Sequence, residues 1–330
     1  MCTILLLYVD DMIITGDNDA EIFRLRDELS TRFEMKNLGE AHSFLGLEIV
    51  KTDGYFVSKG CYATTLLERF GMASTTPIST PMEPQLRLQK IELEPLDDVT
   101  KYRQLVGSLF YLTITRPDLA YSVGVVSQFM DSPCVGHLIA AKRILRYVKG
   151  TLQFGLLYKS DVLSSLQGFA DADWAGDIIT RRSTTGYCFN IGSAAVSWCS
   201  KKQQTTNLSS TEAEYVAATM ATQECIWIKR ILQDVGVALE SPVPLCCDNE
   251  STIKLAGNPV FHARTKHIEI HHHFVREKVL NQEIVLQKIG TNDQVADVFT
   301  KALSRAMFEK FRSALGVVDR KSALRGSVES

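Results

Sequence analysis

The stretch LQGFADADW, residues 166–174, has the apolar and polar alternation of a half-buried β-strand. TTGYCFN (184–190) and AAVSWCS (194–200) also read as strands, and a helix, another strand, helices, a strand and a last helix follow. Three successive strands before alternating helices and strands predict a mixed sheet covered by helices. The second half of the chain is therefore predicted to be an α/β unit.

The sequence of the first half predicts several smaller structural units. TILLLYVDDMIIT (3–15) places two apolar runs around an acidic centre, which predicts a β-hairpin with its turn at Val9 and Asp10. A helical period up to Phe33 and short strands broken by glycines complete a small α+β unit. Prolines cluster in residues 74–100, which predicts an exposed linker, and helical periods return after it. The polar stretch after Phe311 is predicted to be a frayed tail.

Composition limits the class of protein. With 330 residues, 45% of them hydrophobic, the chain can bury two or three cores. It has no run of about 18 apolar residues and meets acids too early for a signal peptide, so we expect a soluble, unsecreted protein with no membrane partner. The eight cysteines are scattered and are expected to be reduced. A net charge of −2 means that a polynucleotide must be held by local basic patches.

Four acidic residues stand on four different predicted elements of the second half. They are Asp171 in the first strand, Glu214 in the following helix, Asp248 at the end of the strand VPLCCD, and Asp297 in the last helix. A metal-dependent nuclease needs carboxylates that converge from separate elements, because two hard cations must be held beside one phosphate. These four acids are therefore candidate metal ligands.

Each of these acids also has a structural alternative at this stage. Asp173 shares a strand face with Asp171, so either could be the ligand, and both could belong to a solvated loop. Asp248 stands where a helix N-cap would stand. Glu214 could be an ordinary surface residue of its helix. Spacing alone leaves these alternatives open.

Two capping boxes are predicted beside the candidate acids. Residues 209–212 have the pattern at the start of the helix that carries Glu214, and residues 291–294 repeat it before the last helix. Asp297 then has Lys301 at i+4, so a surface ion pair is its structural alternative.

Seven strings run in order through residues 165–303. They are GFADADWAGD, RRSTTGY, SWCSKKQ, LSSTEAEYVA, LCCDNESTIKLA, RTKHIEIHHHFVRE and TNDQVADVFTK. Together they resemble the ribonuclease H region of copia-type retrotransposon polyproteins. The resemblance implies a ribonuclease H-like mixed five-stranded sheet with flanking helices, two Mg²⁺ ions with Mn²⁺ as an alternative, and an RNA–DNA hybrid as partner. It places the four metal ligands at Asp171, Glu214, Asp248 and Asp297.

The first half carries strings that resemble the reverse transcriptase of the same polyproteins. YVDDM resembles the polymerase palm motif, FLGLEI its primer grip, and YRQLVGSLFYLTITRPDLAYSV its connecting segment. The resemblance implies that Asp10 and Asp11 are a polymerase motif remnant. It divides the chain into a partial reverse transcriptase palm and thumb (1–73), a Pro-rich linker (74–100), a helical connection (101–160), a ribonuclease H domain (161–305) and a C-terminal tail (306–330).

The polymerase motif is expected to be incomplete in a C-terminal fragment of this kind. Only seven residues precede YVDD, whereas the third metal-binding aspartate and the fingers of such enzymes lie before it. Asp10 and Asp11 without that partner cannot hold two metal ions. We therefore predict no DNA synthesis by this chain alone.

Small basic groups are candidate contacts for nucleic acid. Arg181 with Arg182 and Lys201 with Lys202 bracket the second and third strands, where they could meet phosphates, and solvated surface is the alternative. In RTKHIEIHHHF, two histidines have the i, i+4 spacing of zinc ligands, but a polar helix face near the hybrid is the favoured interpretation.

Three functions compete at this point. The leading hypothesis is an RNA–DNA hybrid ribonuclease that acts in the cytoplasm, within virus-like particles, or in the nucleus. The first rival is a catalytically silent nucleic-acid-binding or structural remnant. The second is a polymerase fragment that other pieces of the retrotransposon polyprotein complete in trans.

Overall fold

The computed structural model of the protein describes residues 2–84, 86, 88, 94–160, 165–257 and 266–325, with the backbone alone for 266–272 and 325. Its first elements are strands β1 (Thr3–Tyr8) and β2 (Asp11–Gly16). They pair antiparallel as a two-stranded sheet with residues 9 and 10 in the turn, so the predicted hairpin is confirmed. Helix α1 (Asp19–Arg32) follows and has no buried residue, although Ile22, Leu25 and Leu29 are half-buried.

A second, antiparallel sheet joins distant parts of the chain. Strands β3 (Ser43–Phe44), β4 (Leu47–Lys51) and β5 (Gly54–Ser58) come from the first unit, and β6 (Phe154–Lys159) comes about 100 residues later. The sheet has the order β12-β6-β5-β4-β3, in which β12 is Val317–Asp319. The sheet therefore holds the first unit, the connection and the C-terminal segment together.

The C-terminal segment is ordered, so the predicted frayed tail is wrong as far as the described residues extend. Helix α9 (Arg305–Ala314) buries Phe308 and Phe311, β12 pairs with β6, and α10 (Arg320–Arg325) follows. Although the segment is polar on average, Leu315 and Val317 are fully buried. These two side chains belong to the main core, and their burial stabilises a segment whose average composition is polar.

Four helices contribute buried residues to the main core. They are α2 (Gly60–Arg69), α3 (Val99–Leu112), α4 (Ala120–Ser127) and α5 (Val135–Gly150), with a short 3₁₀ helix at Pro117–Leu119. Tyr102, Leu109 and Ile144 are fully buried in the main core. The predicted helical character of residues 101–150 is confirmed, and the end of the connection departs from it because residues 154–159 form β6.

The proline-rich stretch packs against α5 over part of its length, which corrects the prediction of an exposed linker there. Thr80, Pro81 and Met82 are buried. From α5, Arg146 Nε donates to the Thr76 carbonyl at 2.9 Å, and Arg143 bridges to Thr80 and Glu83. Arginine side chains of α5 therefore bind one carbonyl and two side chains of a segment that has no regular structure of its own.

A buried ion pair ties the connection to the C-terminal segment. Arg116 and Asp118 form a two-bond contact at 2.8 and 3.0 Å, and both side chains are almost fully buried. Tyr147 of α5 donates to Asp118 at 2.6 Å, and Arg312 of α9 donates to the Tyr147 hydroxyl at 3.3 Å. Burial raises the pKa of Asp118, but the charge and hydrogen bonds of Arg116 outweigh it and hold that pKa below its usual value.

The third sheet carries the candidate acids. Its strands are β7 (Leu166–Asp173), β8 (Thr184–Ile191), β9 (Ala194–Lys202), β10 (Val243–Cys247) and β11 (Ile284–Lys288), in the order β11-β10-β7-β8-β9. β7, β8 and β9 pair antiparallel, whereas β10 is parallel to β7 and to β11. The predicted mixed five-stranded sheet is confirmed.

Helices flank this sheet as predicted. They are α6 (Ser210–Asp234), α7 (Glu250–Gly257) and α8 (Lys266–Leu280), followed by 3₁₀ helices at Thr291–Asp293 and Val295–Phe299. The last element before α9 is therefore a 3₁₀ helix, not the α-helix that the sequence predicts. Throughout the described ranges, no helix combines the length and apolarity that crossing a membrane requires.

Candidate active site

Asp171 lies near the end of β7, on the central strand of the sheet, and only 3% of its surface is exposed. The hydroxyl of Thr300 donates to its Oδ2. The register pairs it with Gly186 of β8, where an added Cβ would lie 2.6–2.9 Å from atoms of the Val295–Thr300 segment. Glycine at this position lets that segment approach the sheet beside Asp171.

Asp297 is brought to the same place by the 3₁₀ helix Val295–Phe299, and it is 4% exposed. Gln294 anchors the segment, because its amide donates to the Ala170 carbonyl at 2.9 Å and its Oε1 accepts from the Ala296 N–H at 3.3 Å. The predicted 291–294 capping box is therefore wrong, since Gln294 faces β7. Lys301 Nζ lies 2.8 Å from Asp297 Oδ1, an ion pair without hydrogen-bond geometry, and 3.9 Å from Asp171 Oδ2.

Glu214 enters from α6 and is 7% exposed. The predicted N-cap is confirmed, because Ser209 accepts from the Glu212 N–H at 3.2 Å and Glu212 reaches back to the Leu208 N–H at 2.7 Å. Glu214 has no such structural role, and its Oε2 is buried without a hydrogen-bond partner. The surface alternative for Glu214 is thus excluded by its burial.

Asp248 follows β10 directly and is half-buried. The N-cap role falls to Asn249, whose side chain accepts from the Thr252 N–H at 3.1 Å. Asp248 Oδ2 instead accepts from the Thr291 hydroxyl at 3.2 Å. The capping alternative for Asp248 therefore does not hold, and its carboxylate stays at the edge of the acidic cluster.

Asp173, the alternative to Asp171, is occupied elsewhere. Its Oδ1 accepts from the Thr184 N–H, which closes the loop between β7 and β8. Burial raises the pKa of Asp173 to about 7, and Asp171 adds to that rise. The geometry favours Asp171 as the ligand, because Asp171 also neighbours Glu214 and Asp297.

The acids lie close enough to perturb one another. Burial, and then the charges of Asp171 and Asp248, raise the pKa of Glu214 far above its ordinary value. Burial and the charge of Asp171 raise the pKa of Asp297 despite the neighbouring Lys301. Buried carboxylates that repel one another in this way form a place where a cation is favoured.

One further side chain reaches the cluster. Sγ of Cys247 and one carboxylate oxygen from each of Glu214 and Asp248 all lie within 4.8 Å of one another. Burial, and then the charge of Glu214, raise the pKa of the Cys247 thiol. The sequence analysis predicts only that this cysteine is reduced, and its position directly before Asp248 is the one sequence signal for a place in the site.

The predicted basic contacts differ in their availability. Arg181, Arg182 and Lys201 are exposed, the first two in the loop between β7 and β8 and the third near the end of β9. Lys202 is half-buried, pairs with Asp177 and donates to Gln128 at 3.2 Å. Lys202 is thus engaged within the protein, whereas the other three present their charge to solvent.

Asp10 and Asp11 are not members of the acidic cluster. Asp10 and Asp11 are exposed at the β1–β2 turn. Within the described parts of the chain, the single group of three possible metal ligands is Glu214, Cys247 and Asp248. The side chains of His267 and His271, the possible zinc pair, lie outside the described residues.

Comparisons of sequence with known proteins cover both halves of the chain. A model of the family "Reverse transcriptase (RNA-dependent DNA polymerase)" matches residues 2–84. The Pol polyprotein of transposon RE1 from Arabidopsis thaliana is 43% identical over 95% of this chain and 21% of the relative. The putative transposon Ty5-1 protein of Saccharomyces cerevisiae is 31% identical over 66% of this chain and 72% of the relative.

A solved structure shares the architecture at low sequence identity. The foamy viral protease-reverse transcriptase in complex with RNA/DNA hybrid aligns over 87% of this chain and 36% of that chain, with a TM-score of 0.50 and 13% identity. This likeness shows the fold. The chain spans about a fifth to a quarter of the length of the first curated relatives that it matches.

A reverse transcriptase portion joined to a ribonuclease H-like sheet with an acidic cluster defines the class of this protein. It is the class of proteins related to retroelement reverse transcriptases. More narrowly, the chain belongs to the family of copia-type retrotransposon Pol polyproteins.

Proposed function

We propose that this chain cleaves the RNA strand of an RNA–DNA hybrid. The observation that carries the proposal is the convergence of four carboxylates from four elements that are far apart in sequence: Asp171, Glu214, Asp248 and Asp297. Capping or surface roles do not account for the burial of Asp171, Glu214 and Asp297 beside the half-buried Asp248. Buried acids without such roles are costly unless a cation neutralises them.

The residues fit hard divalent cations. Glu214 Oε2 is buried without a hydrogen-bond partner. Asp297 Oδ1 also has no hydrogen bond, and its contact with Lys301 is an ion pair. Carboxylate oxygens are the donors that Mg²⁺ and Mn²⁺ prefer. The four acids would hold two Mg²⁺ ions, with Mn²⁺ as an alternative. When bound, such ions supply Lewis acidity that activates a water and stabilises the leaving 3′ oxygen of RNA.

Neighbouring residues of this chain position the carboxylates. Thr300 orients Asp171, Thr291 orients Asp248, and Gln294 fixes the segment that carries Asp297. Partners of this kind fix the orientation of ligand oxygens before a cation arrives. The three exposed basic residues would meet phosphates of the hybrid, and 2′-hydroxyl groups would distinguish the strand to be cut.

A cleavage assay tests this function. The chain is incubated with an RNA–DNA hybrid, a DNA duplex, an RNA duplex and single-stranded RNA, each with Mg²⁺ and with a chelator. We expect cleavage of the RNA strand of the hybrid alone, with a 5′-phosphate on the product, and none in chelator. A hybrid that stays intact with both Mg²⁺ and Mn²⁺ would contradict the proposal.

One contact favours the silent remnant as a second candidate. The Lys301 ammonium lies beside both Asp297 and Asp171, where a fixed positive charge could take the place of a cation. In that case the chain would bind hybrid with equal affinity in Mg²⁺ and in chelator and would cleave none. Filter binding of a labelled hybrid, measured beside the cleavage assay, separates the two candidates.

A further inference from the structure

A buried thiol faces two of the proposed metal ligands. Cys247 is 0% exposed, and its Sγ lies within 4.8 Å of a carboxylate oxygen of Glu214 and of Asp248. Independently, Glu214 is more than nine-tenths buried, and its Oε2 has no hydrogen-bond partner. Two carboxylates, one of them with an oxygen that lacks a hydrogen-bond partner, therefore lie beside a thiol at one edge of the site.

We propose that Glu214, Cys247 and Asp248 bind a thiophilic divalent cation, Zn²⁺ or Cd²⁺, which competes with Mg²⁺. The inference rests on the proposed function, because two of the three residues are among the proposed Mg²⁺ ligands. Sulfur selects soft and borderline cations, whereas Mg²⁺ takes oxygen almost exclusively. Cys247 thus adds a donor that Mg²⁺ does not use and Zn²⁺ does.

The spacing of the donors suits a single ion. Ligand atoms of a tetrahedral zinc ion lie about 3.5 Å apart, given bond lengths of about 2.0–2.3 Å. The three donor atoms lie within 4.8 Å of one another, so a small inward shift of a side chain would bring them to that spacing. Three protein ligands would leave a fourth position for water, as open zinc sites have. Formation of the sulfur–metal bond releases the thiol proton to solvent.

The adjacent cysteine provides a matched control. Cys246 is also buried, but alternation along β10 turns it to the other face, where its Sγ accepts from Gln167 Nε2 at 3.5 Å. It packs in the main core and belongs to no group of possible ligands among the described residues. Cys246→Ser therefore removes a buried thiol from the same strand and leaves the proposed site intact.

The experiment titrates the reduced full-length chain with Cd²⁺ in the absence of nucleic acid and records the ultraviolet absorption of the cadmium–thiolate bond. Wild type, Cys247→Ser, Cys247→Ala, Cys246→Ser and the exposed-cysteine variant Cys61→Ser are compared, and circular dichroism checks that each is folded. We expect Cys247→Ser and Cys247→Ala to lose the tightest-binding part of the signal. Cys246→Ser and Cys61→Ser should retain it.

The second readout is inhibition of cleavage. Each variant's Mg²⁺-dependent cleavage of hybrid is measured with increasing Zn²⁺, relative to its own rate without Zn²⁺. Loss of a direct ligand should raise the half-inhibitory Zn²⁺ concentration at least about tenfold in Cys247→Ser, since changes around metal ligands alone cost 10- to 100-fold. Equal inhibition of Cys247→Ser and wild type would overturn the proposal.

The two readouts separate failure of the site from failure of the function. If the chain cleaves no hybrid, the Cd²⁺ absorption alone decides whether Cys247 binds metal. If the chain cleaves hybrid but the tight Cd²⁺ signal survives in both Cys247 variants, the thiophilic site is refuted and the ribonuclease proposal stands.

Discussion

The β1–β2 hairpin and the C-terminal sheet both present acidic residues from strands, and they treat them in opposite ways. Asp10 and Asp11 are adjacent in sequence and lie exposed at a turn beside strands whose leucines are also exposed, Leu7 at 62%. Asp171, Glu214 and Asp297 come from separate elements and are buried together. Adjacency in sequence therefore yields no group of three possible metal ligands in the described hairpin, whereas residues from separate elements, Glu214 with Cys247 and Asp248, form such a group.

The difference shows what the fold contributes to acidic residues. An exposed carboxylate at a turn keeps its hydration and has little to gain from a cation. A buried carboxylate among others has lost that hydration, which is why the pKa values of Glu214 and Asp297 are raised. Differences between variants in these two regions test this contrast directly.

The largest expected effect belongs to two of the proposed metal ligands, Asp171 on the central strand and Asp248 directly after β10. Asp171→Asn, or Asp248→Asn, should lower hybrid cleavage by about a thousandfold or more, because a metal ligand supplies several kcal/mol of transition-state stabilisation. The measurement is single-turnover cleavage of a labelled hybrid with Mg²⁺. Glu240→Gln, which changes a carboxylate outside the cluster, should match wild type. Cleavage by Asp171→Asn at the wild-type rate would remove Asp171 from the site.

The topology of the C-terminal sheet was predictable because local signals agreed with tertiary contacts. Strands β7, β8 and β9 follow one another in sequence and are also neighbours in the sheet. The Ser209 cap marks the start of α6. The 3₁₀ helix around Asp297 was not predictable, because its geometry depends on Gln294 reaching the Ala170 carbonyl, more than 120 residues away in sequence. The capping-box pattern there is a local signal, and the long-range hydrogen bond of Gln294 forms in its place.

The second largest effect concerns a buried carboxylate outside the site. Asp118→Ala should reduce the free energy of unfolding by about 3–5 kcal/mol, because it leaves the Arg116 guanidinium buried without its partner. Urea denaturation followed by fluorescence measures the change. The control is Glu21→Gln on α1, whose ion pair with Arg24 is exposed and should contribute nothing measurable. Equal stability of the two variants would show that burial of the Arg116 pair is immaterial.

The same ion pair should give stability a dependence on pH. The folded-state pKa of Asp118 lies below its unfolded value of about 3.9, so the folded state binds fewer protons in this range. The contribution of Asp118 is therefore complete above about pH 5 and is lost as pH falls through the folded pKa. Denaturation between pH 6 and 3 should show a steeper loss of stability in wild type than in Asp118→Asn.

A smaller effect is expected at the exposed basic residues of the sheet. Arg181→Ala with Arg182→Ala should weaken hybrid binding by a similar factor for all sequences and lower the salt slope of log affinity by about 1 to 2, because each phosphate contact contributes nearly one. Fluorescence anisotropy at several salt concentrations measures it. Arg24→Ala on α1 is the matched control and should keep the wild-type slope. An unchanged slope in the double variant would place these arginines away from the phosphates.

No candidate ligand was recognisable from its own sequence position alone; each was recognised only together with the other acids and motifs. Asp171 and Asp173 satisfy the same strand pattern, and they are distinguished by the Thr184 N–H that engages Asp173. Asp248 and Asn249 could both cap α7, and the chain uses Asn249. Choices of this kind depend on which hydrogen-bond donors surround each side chain, and one-dimensional spacing carries no information about them.

The smallest expected effect is at the hairpin turn. Asp10→Asn with Asp11→Asn should leave hybrid cleavage and the urea midpoint unchanged, because both carboxylates are exposed and belong to no group of possible metal ligands among the described residues. With template, primer, nucleotides and Mg²⁺, the wild-type chain should extend nothing, since two exposed acids cannot hold two ions. Extension that appears only when an upstream piece of the polyprotein is added, and disappears in Asp11→Asn, would show that the hairpin acids become a metal site only within a larger assembly. Extension by the chain alone would remove the contrast between the two regions, because exposure at the turn would then be compatible with catalysis.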